Sequence, residues 1–121
     1  MAQISLPPSD EMFDGPSVLT LGDEWRTSTG EGVEIAIIDS GVDSSHSELQ
    51  GKISKSLEAQ KDGNRVSFRE SDSGDSAGHG TACAGIIGKI APDAKIISIK
   101  VLGASGLGDG HAFLAGLEYA I

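Results

Sequence analysis

The sequence predicts an α/β fold built on a mostly parallel sheet, and three observations carry that expectation. Val33-Glu34-Ile35-Ala36-Ile37-Ile38-Asp39 and Ile96-Ile97-Ser98-Ile99-Lys100-Val101 are near-continuous apolar runs rich in β-branched residues. Such runs mark strands covered on both faces rather than strands with one wet side. Between them, His79 to Gly88 reads as a helix crowded with small residues. From Gly110 onward, Phe113, Leu114, Leu117, Tyr119 and Ile121 form a second helical pattern. Strand, helix, strand, helix in that order is best met by parallel strands joined through helical crossovers.

The elements follow in chain order. Met1 to Asp14 is polar, holds Pro7-Pro8, and reads as an extended arm. Val18, Leu21 and Trp25 sit at helical spacing, which predicts a short amphipathic helix from Ser17 to about Arg26. Thr27 to Gly32 is turn-rich. These features divide the chain into an N-terminal arm with a short helix over 1–30 and a main domain over 31–121. Weaker strands are expected around Lys52–Leu57 and Arg65–Arg69, with Lys61-Asp62-Gly63-Asn64 supplying hairpin chemistry between them. The small residues Ala82, Cys83, Ala84 and Gly85 suit a helix that lies close against its neighbours. Gly88-Lys89-Ile90 is read as a short loop after that helix, and the last helical pattern reaches Ile121 without a closing cap.

Bulk properties exclude several classes of function. The 121 residues are enough for one modest domain with a real core, and 38% of them are hydrophobic. A formal net charge of −9 provides no basic stripe to neutralise phosphates, so nucleic acid is not an expected partner. No apolar run approaches the roughly 20 residues of a membrane span, so no membrane partner is expected either. The first 30 residues show no basic segment leading into an apolar one, and no secretory leader is expected. Cys83 is the only cysteine, so no disulfide can form within the chain.

The chemistry converges on one rim. In open α/β sheets, ligands bind outside the carboxyl ends of the strands. Asp39 ends the first buried strand and is followed by Ser40-Gly41, where glycine permits a sharp exit that leaves the carboxylate at the rim. His79 opens a helix, and a helix running antiparallel to the strands begins at that same rim. The segment Gly103-Ala104-Ser105-Gly106-Leu107-Gly108 leaves the second buried strand there as well. An Asp beside a His has an evident use. The carboxylate accepts from one imidazole nitrogen, fixes the tautomer, and frees the other nitrogen to take a proton from a nucleophile.

These residues resemble the subtilase (subtilisin-like) family. Ile37-Ile38-Asp39-Ser40-Gly41-Val42-Asp43 is similar to its aspartate motif, with His46 and Leu49 resembling the His-Pro-x-Leu that follows, although Ser47 replaces the proline. Gly78-His79-Gly80-Thr81-Ala82-Cys83-Ala84-Gly85 is similar to its histidine motif. Ala91-Pro92-Asp93-Ala94-Lys95 and Lys100-Val101-Leu102 resemble the turn and strand that come next. The likeness runs from Gly32 to Ile121, and four motifs in order make it specific.

The resemblance implies a three-layer α/β/α fold and a serine endopeptidase acting on polypeptides through an Asp-His-Ser triad. It makes Asp39 the orienting acid and His79 the general base. It makes Gly106, Leu107 and Gly108 an extended edge that pairs with substrate backbone, and Leu102 the wall of a side-chain pocket. In the family's order the serine follows the histidine, yet only Ser98 and Ser105 lie beyond His79. Ser98 falls inside a buried strand, and Ser105 lacks the family's Gly-Thr-Ser-x-Ala setting. The only asparagine, Asn64, precedes His79, so the oxyanion asparagine is missing too. The resemblance therefore implies only the N-terminal half of such a domain, with the C-terminal half supplying the serine. In subtilisin itself, removing the nucleophile costs about 10⁶ in turnover, so this chain alone is expected to be inactive. No cofactor and no metal ligand set is expected; the short segment after the histidine helix lacks the calcium loop of many relatives, leaving calcium to the complete enzyme.

Plainer readings stand beside these. His46 and His111 read as surface or structural residues, and Asp72 and Asp75 as parts of a solvated loop. Cys83 reads as a small hydrophobe filling a tight helix contact, with a reactive thiol or mercury site beside His79 as the alternative. A phosphate cradle at Gly103 to Gly108 lacks the Lys-Ser/Thr ending of a P-loop. A short inactive pseudoprotease that binds peptides or a partner is the alternative function. The uncapped last helix and uncovered apolar strands weigh against it.

Overall fold

The computed structural model describes residues 27–103 and 110–121. The arm and short helix expected before Thr27, and the segment Gly106-Leu107-Gly108, lie outside the described residues. The described chain forms strand β1 (Glu34–Asp39), a 3-10 turn (Ser47–Leu49), β2 (Ile53–Asp62), β3 (Arg65–Glu70), helix α1 (His79–Ile90), β4 (Lys95–Lys100) and α2 (Gly110–Ala120). One four-stranded sheet has the order β1-β4-β2-β3. β4 runs parallel to both β1 and β2, and only β3 is antiparallel, returning from β2 as a hairpin. The α/β expectation with a mostly parallel sheet holds.

The hairpin forms where its turn chemistry predicts. Asp62 pairs with Arg65 across a two-residue loop, and Gly63 takes φ of 62° at the first loop position. Positive φ there and not at the next residue is the II′ pattern, which matches the twist of the flanking strands. β2 is longer than its apolar residues suggest, because its outer half is held by pairing with β3 rather than by burial.

Alternation along the strands sends side chains to two separate cores. Ile37 and Ile96 pack with Val42, Leu49 and Ala84 on the α1 side. Ala36, Ile38, Ile97 and Ile99 face Leu57, Val101 and Ala112 on the α2 side. The two helices therefore cover opposite faces of the sheet, giving three layers. In β2, Ile53 belongs to the first core and Leu57 to the second, although an even spacing should place them on one face. A register shift between Ile53 and Lys55 resolves the conflict: Ile53 pairs with Ile96 and Lys55 with Ile97. One extra residue on β2 exchanges its faces.

Gly88, Lys89 and Ile90, expected as loop, are the last turn of α1. The helix continues because Ala91 N–H still donates to the Ile87 carbonyl at 2.7 Å, and the chain turns only at Ala91–Ala94.

Candidate active site

Parallel pairing sets Asp39 opposite Lys100, so β1 and β4 end at one level. The Asp39 carbonyl then accepts from both Val101 N–H (2.8 Å) and Leu102 N–H (3.3 Å), which ties the two strand exits together. Gly41 takes φ of 97°, and a Cβ there would stand 2.2 Å from the Gly74 carbonyl oxygen. Only glycine makes that turn while letting the following loop pass so close.

Helix α1 starts at the same rim. Its Gly80 lies so near the β1 exit that a Cβ would meet the Gly41 carbonyl oxygen at 2.0 Å. This close approach brings His79 Nδ1 to 2.6 Å from Asp39 Oδ2. The carboxylate accepts, so Nδ1 donates, an arrangement that in the neutral ring leaves the lone pair on Nε2. The other oxygen, Oδ1, accepts from Ser40 N–H at 2.6 Å. Asp39 is 13% exposed and His79 is 72% exposed, so a fixed acid orients a ring that faces outward.

Asp75, expected as part of a solvated loop, is the hub behind this pair. Its carboxylate accepts from the Ser40 hydroxyl (2.6 Å), Ala77 N–H (3.0 Å) and Gly78 N–H (2.7 Å). It also accepts from Thr81 N–H (2.8 Å) and the Thr81 hydroxyl (2.6 Å). Partial burial pushes this carboxyl up, but the Ser40, Thr81 and Ala77 hydrogen bonds outweigh it and hold Asp75 well below the usual carboxylate range. Gly80 N–H donates to the Ser40 oxygen at 3.1 Å. The Gly80 and Thr81 N–H groups in the first turn of α1 are thus taken up by side chains, which supplies partners a helix N-terminus otherwise lacks. The signal in the sequence was an acid a few residues ahead of a helix start, a capping pattern that reads as a loop when the helix is placed first.

Other expectations sort as follows. Ser98 is 2% exposed inside β4. Leu102 sits beside the Asp39 carbonyl and lines an open cavity of about 240 Å³ with Glu58, Lys61, Val66, Lys100 and Ala112. His46 is exposed and caps the 3-10 turn, its Nδ1 accepting from Glu48 N–H at 3.2 Å. His111 is exposed in the first turn of α2. Cys83 does not fill the tight helix contact, which belongs to Gly80 and Ala84. It is partly exposed, with Sγ 3.7 Å from His79 Nδ1. Burial first, then the Asp39 and Asp75 carboxylates, push its thiol up, so it is not an activated nucleophile. Among the described residues, no helix is long and apolar enough to cross a membrane.

Comparison with known proteins gives consistent relatives. A family model described as the Subtilase family matches residues 30–121. Thermitase of Thermoactinomyces vulgaris is 33% identical over 93% of this chain and 43% of its own length. An intracellular serine protease of Paenibacillus polymyxa is 32% identical over 96% of this chain and 36% of its own. Among solved structures, a cold-adapted subtilisin-like serine proteinase aligns with TM-score 0.60 and 30% identity, over 77% of this chain and 33% of that one. A lanthipeptide protease aligns with TM-score 0.63 and 34% identity, over 80% of this chain and 28% of that one. The chain spans less than half the length of the relatives it matches.

Proposed function

Because this chain belongs to the subtilase family, we propose that it provides the acid and base of a serine endopeptidase whose nucleophile comes from a further segment. The observation that carries the reading is the 2.6 Å contact between His79 Nδ1 and Asp39 Oδ2 at the carboxyl rim of the sheet. Asp39 holds the ring in the tautomer that leaves Nε2 basic and offsets the charge of the imidazolium as it forms. Nε2 takes the proton of a serine hydroxyl as that oxygen attacks a peptide carbonyl, and returns it to the leaving amine. The polypeptide substrate lies along the rim past Leu102, with the Gly106-Leu107-Gly108 backbone pairing to it. Neither Ser98 nor Ser105 serves as nucleophile in this reading, so the chain alone does not turn over substrate.

The test is labelling by a fluorophosphonate. A polypeptide that joins this chain to a segment bearing the Gly-Thr-Ser-x-Ala motif should be labelled, and the 121-residue chain should not. Asp39→Asn should lower turnover about 10⁴-fold, the size seen when such an orienting acid becomes an amide. Absence of labelling and of peptide cleavage in the joined polypeptide would sink the reading.

A further inference from the structure

We propose that the outer edge of β3 pairs antiparallel with the same edge of a second copy of this chain, so that the sheets of two protomers become one. β3 ends the strand order β1-β4-β2-β3, and among the described residues no strand lies beyond it. Its backbone groups divide between two sides. Asp62 and Arg65 close the two-residue hairpin, and Ser71 N–H donates to the Ser56 carbonyl at 3.0 Å. Antiparallel alternation therefore turns the N–H and C=O groups of Arg65, Ser67, Arg69 and Ser71 toward β2, and leaves those of Val66, Phe68 and Glu70 pointing outward. Proline, lysine and a bulge, devices that blunt such an edge, are absent from β3.

Part of this edge also lacks support within the chain. Residues 65–68 pair with residues 59–62, past Glu58, the last β2 residue that pairs with β4. That part is a two-stranded ribbon, which is marginal by itself and gains from further strands.

A second copy fits because the strand is complementary to itself in one register. Pairing about a two-fold axis keeps like faces together and joins outward groups to outward groups. With the axis at Phe68, Val66 lies opposite the partner's Glu70, Ser67 opposite the partner's Arg69, and Arg65 opposite the partner's Ser71. No like charges face each other. An axis at Ser67 would set Arg65 against the partner's Arg69, and an axis at Arg69 or Glu70 would set that residue against its own copy. Like charges directly opposite are destabilising. An axis at Val66 would run Asn64 of the hairpin turn into the ladder. In the Phe68 register each hydrogen-bonded pair exchanges two N–H···O=C bonds. The two Phe68 rings then lie side by side on the face where Tyr119 already packs at 5.1 Å. β1, which carries Asp39, is at the other end of the strand order, so the pairing does not depend on the peptidase reading.

The test is sedimentation equilibrium of the 121-residue chain carrying Leu114→Lys, which removes apolar surface from α2, where Leu114 is 54% exposed. A monomer–dimer equilibrium is expected. Ser67→Arg should weaken it about tenfold, because each dimer then holds two arginine pairs with the partner's Arg69. Ser67→Glu should tighten it several-fold for the opposite reason. Amide exchange should slow with rising concentration at Val66, Phe68 and Glu70, and not at Ser67 and Arg69, whose N–H groups already bond β2. Far-ultraviolet circular dichroism identifies a variant that has not folded, in which case exchange in the chain with Ser67 decides. A chain that stays monomeric into the millimolar range overturns the pairing. So does a shift in the same direction for both folded Ser67 variants, or exchange at Val66, Phe68 and Glu70 that ignores concentration. A fluorophosphonate result of either sign leaves this outcome standing.

Discussion

The two helices meet the sheet in different ways. α1 buries Gly80 and Ala84 against the β1 exit, and side chains engage the donors of its first turn. α2 packs through Ala112 and Gly116, the latter against Ile38, Ile99 and Val101, and presents Phe113, Leu114, Leu117 and Tyr119 about half exposed. Asp39 and His79 thus lie beside the helix whose Gly80 and Thr81 N–H groups are met by side chains of this chain. The α2 side carries an apolar outer surface that nothing among the described residues covers. Precision at the site is obtained locally, from glycine contacts and capping, and not from the bulk of the core.

Substitutions can break or sharpen this contrast. The largest effect is expected from Gly80→Ala, whose Cβ would stand 2.0 Å from the Gly41 carbonyl oxygen, both backbone-borne and unable to give way. A loss of about 3 kcal/mol in urea unfolding is expected, at the upper end for overpacking. Gly85→Ala in the same helix meets nothing within 4 Å and should gain up to about 1 kcal/mol from helix propensity. Equal effects at both positions would dissolve the contrast within α1.

Asp75→Asn comes next, at about 2 kcal/mol, since it weakens charge-assisted bonds to Ser40, Thr81 and the helix start. Its pH dependence has a definite sign. The folded carboxyl lies below its unfolded value near 3.9. The stability it contributes is therefore complete above that value and lost as pH falls toward the folded one. Urea midpoints measured from pH 6 to pH 2 should drop less steeply in Asp75→Asn than in the wild type.

On the α2 side, Tyr119→Ala should cost about 1 kcal/mol by removing a tilted ring pair with Phe68 at 5.1 Å. Leu114→Lys should stay within about 0.5 kcal/mol. Its effect should show instead in light scattering, as weaker self-association of the chain.

The sequence revealed the sheet through its two isoleucine-rich strands, and the site through Asp39 at a strand end and His79 at a helix start. Each signal is local, and the expected parallel sheet, with a helix running back to its carboxyl rim, joined the two. Asp75 escaped because its partners come from three elements, and only the packing of Gly80 on Gly41 brings them together. The helical ending of α1 escaped because Gly88 looks like a stop, yet nothing local forces the chain to turn before Ala91. The facing of β2 was not legible either. Its apolar residues obey alternation only on each side of the register shift.

That shift makes β2 a strand in two phases. Its first half serves one core and its second half the other, so a single polypeptide segment stitches the two outer layers together. A strand that kept every residue of β2 but lost the shift would put Ile53 and Leu57, four residues apart, on one face, and one of them would turn away from its own core.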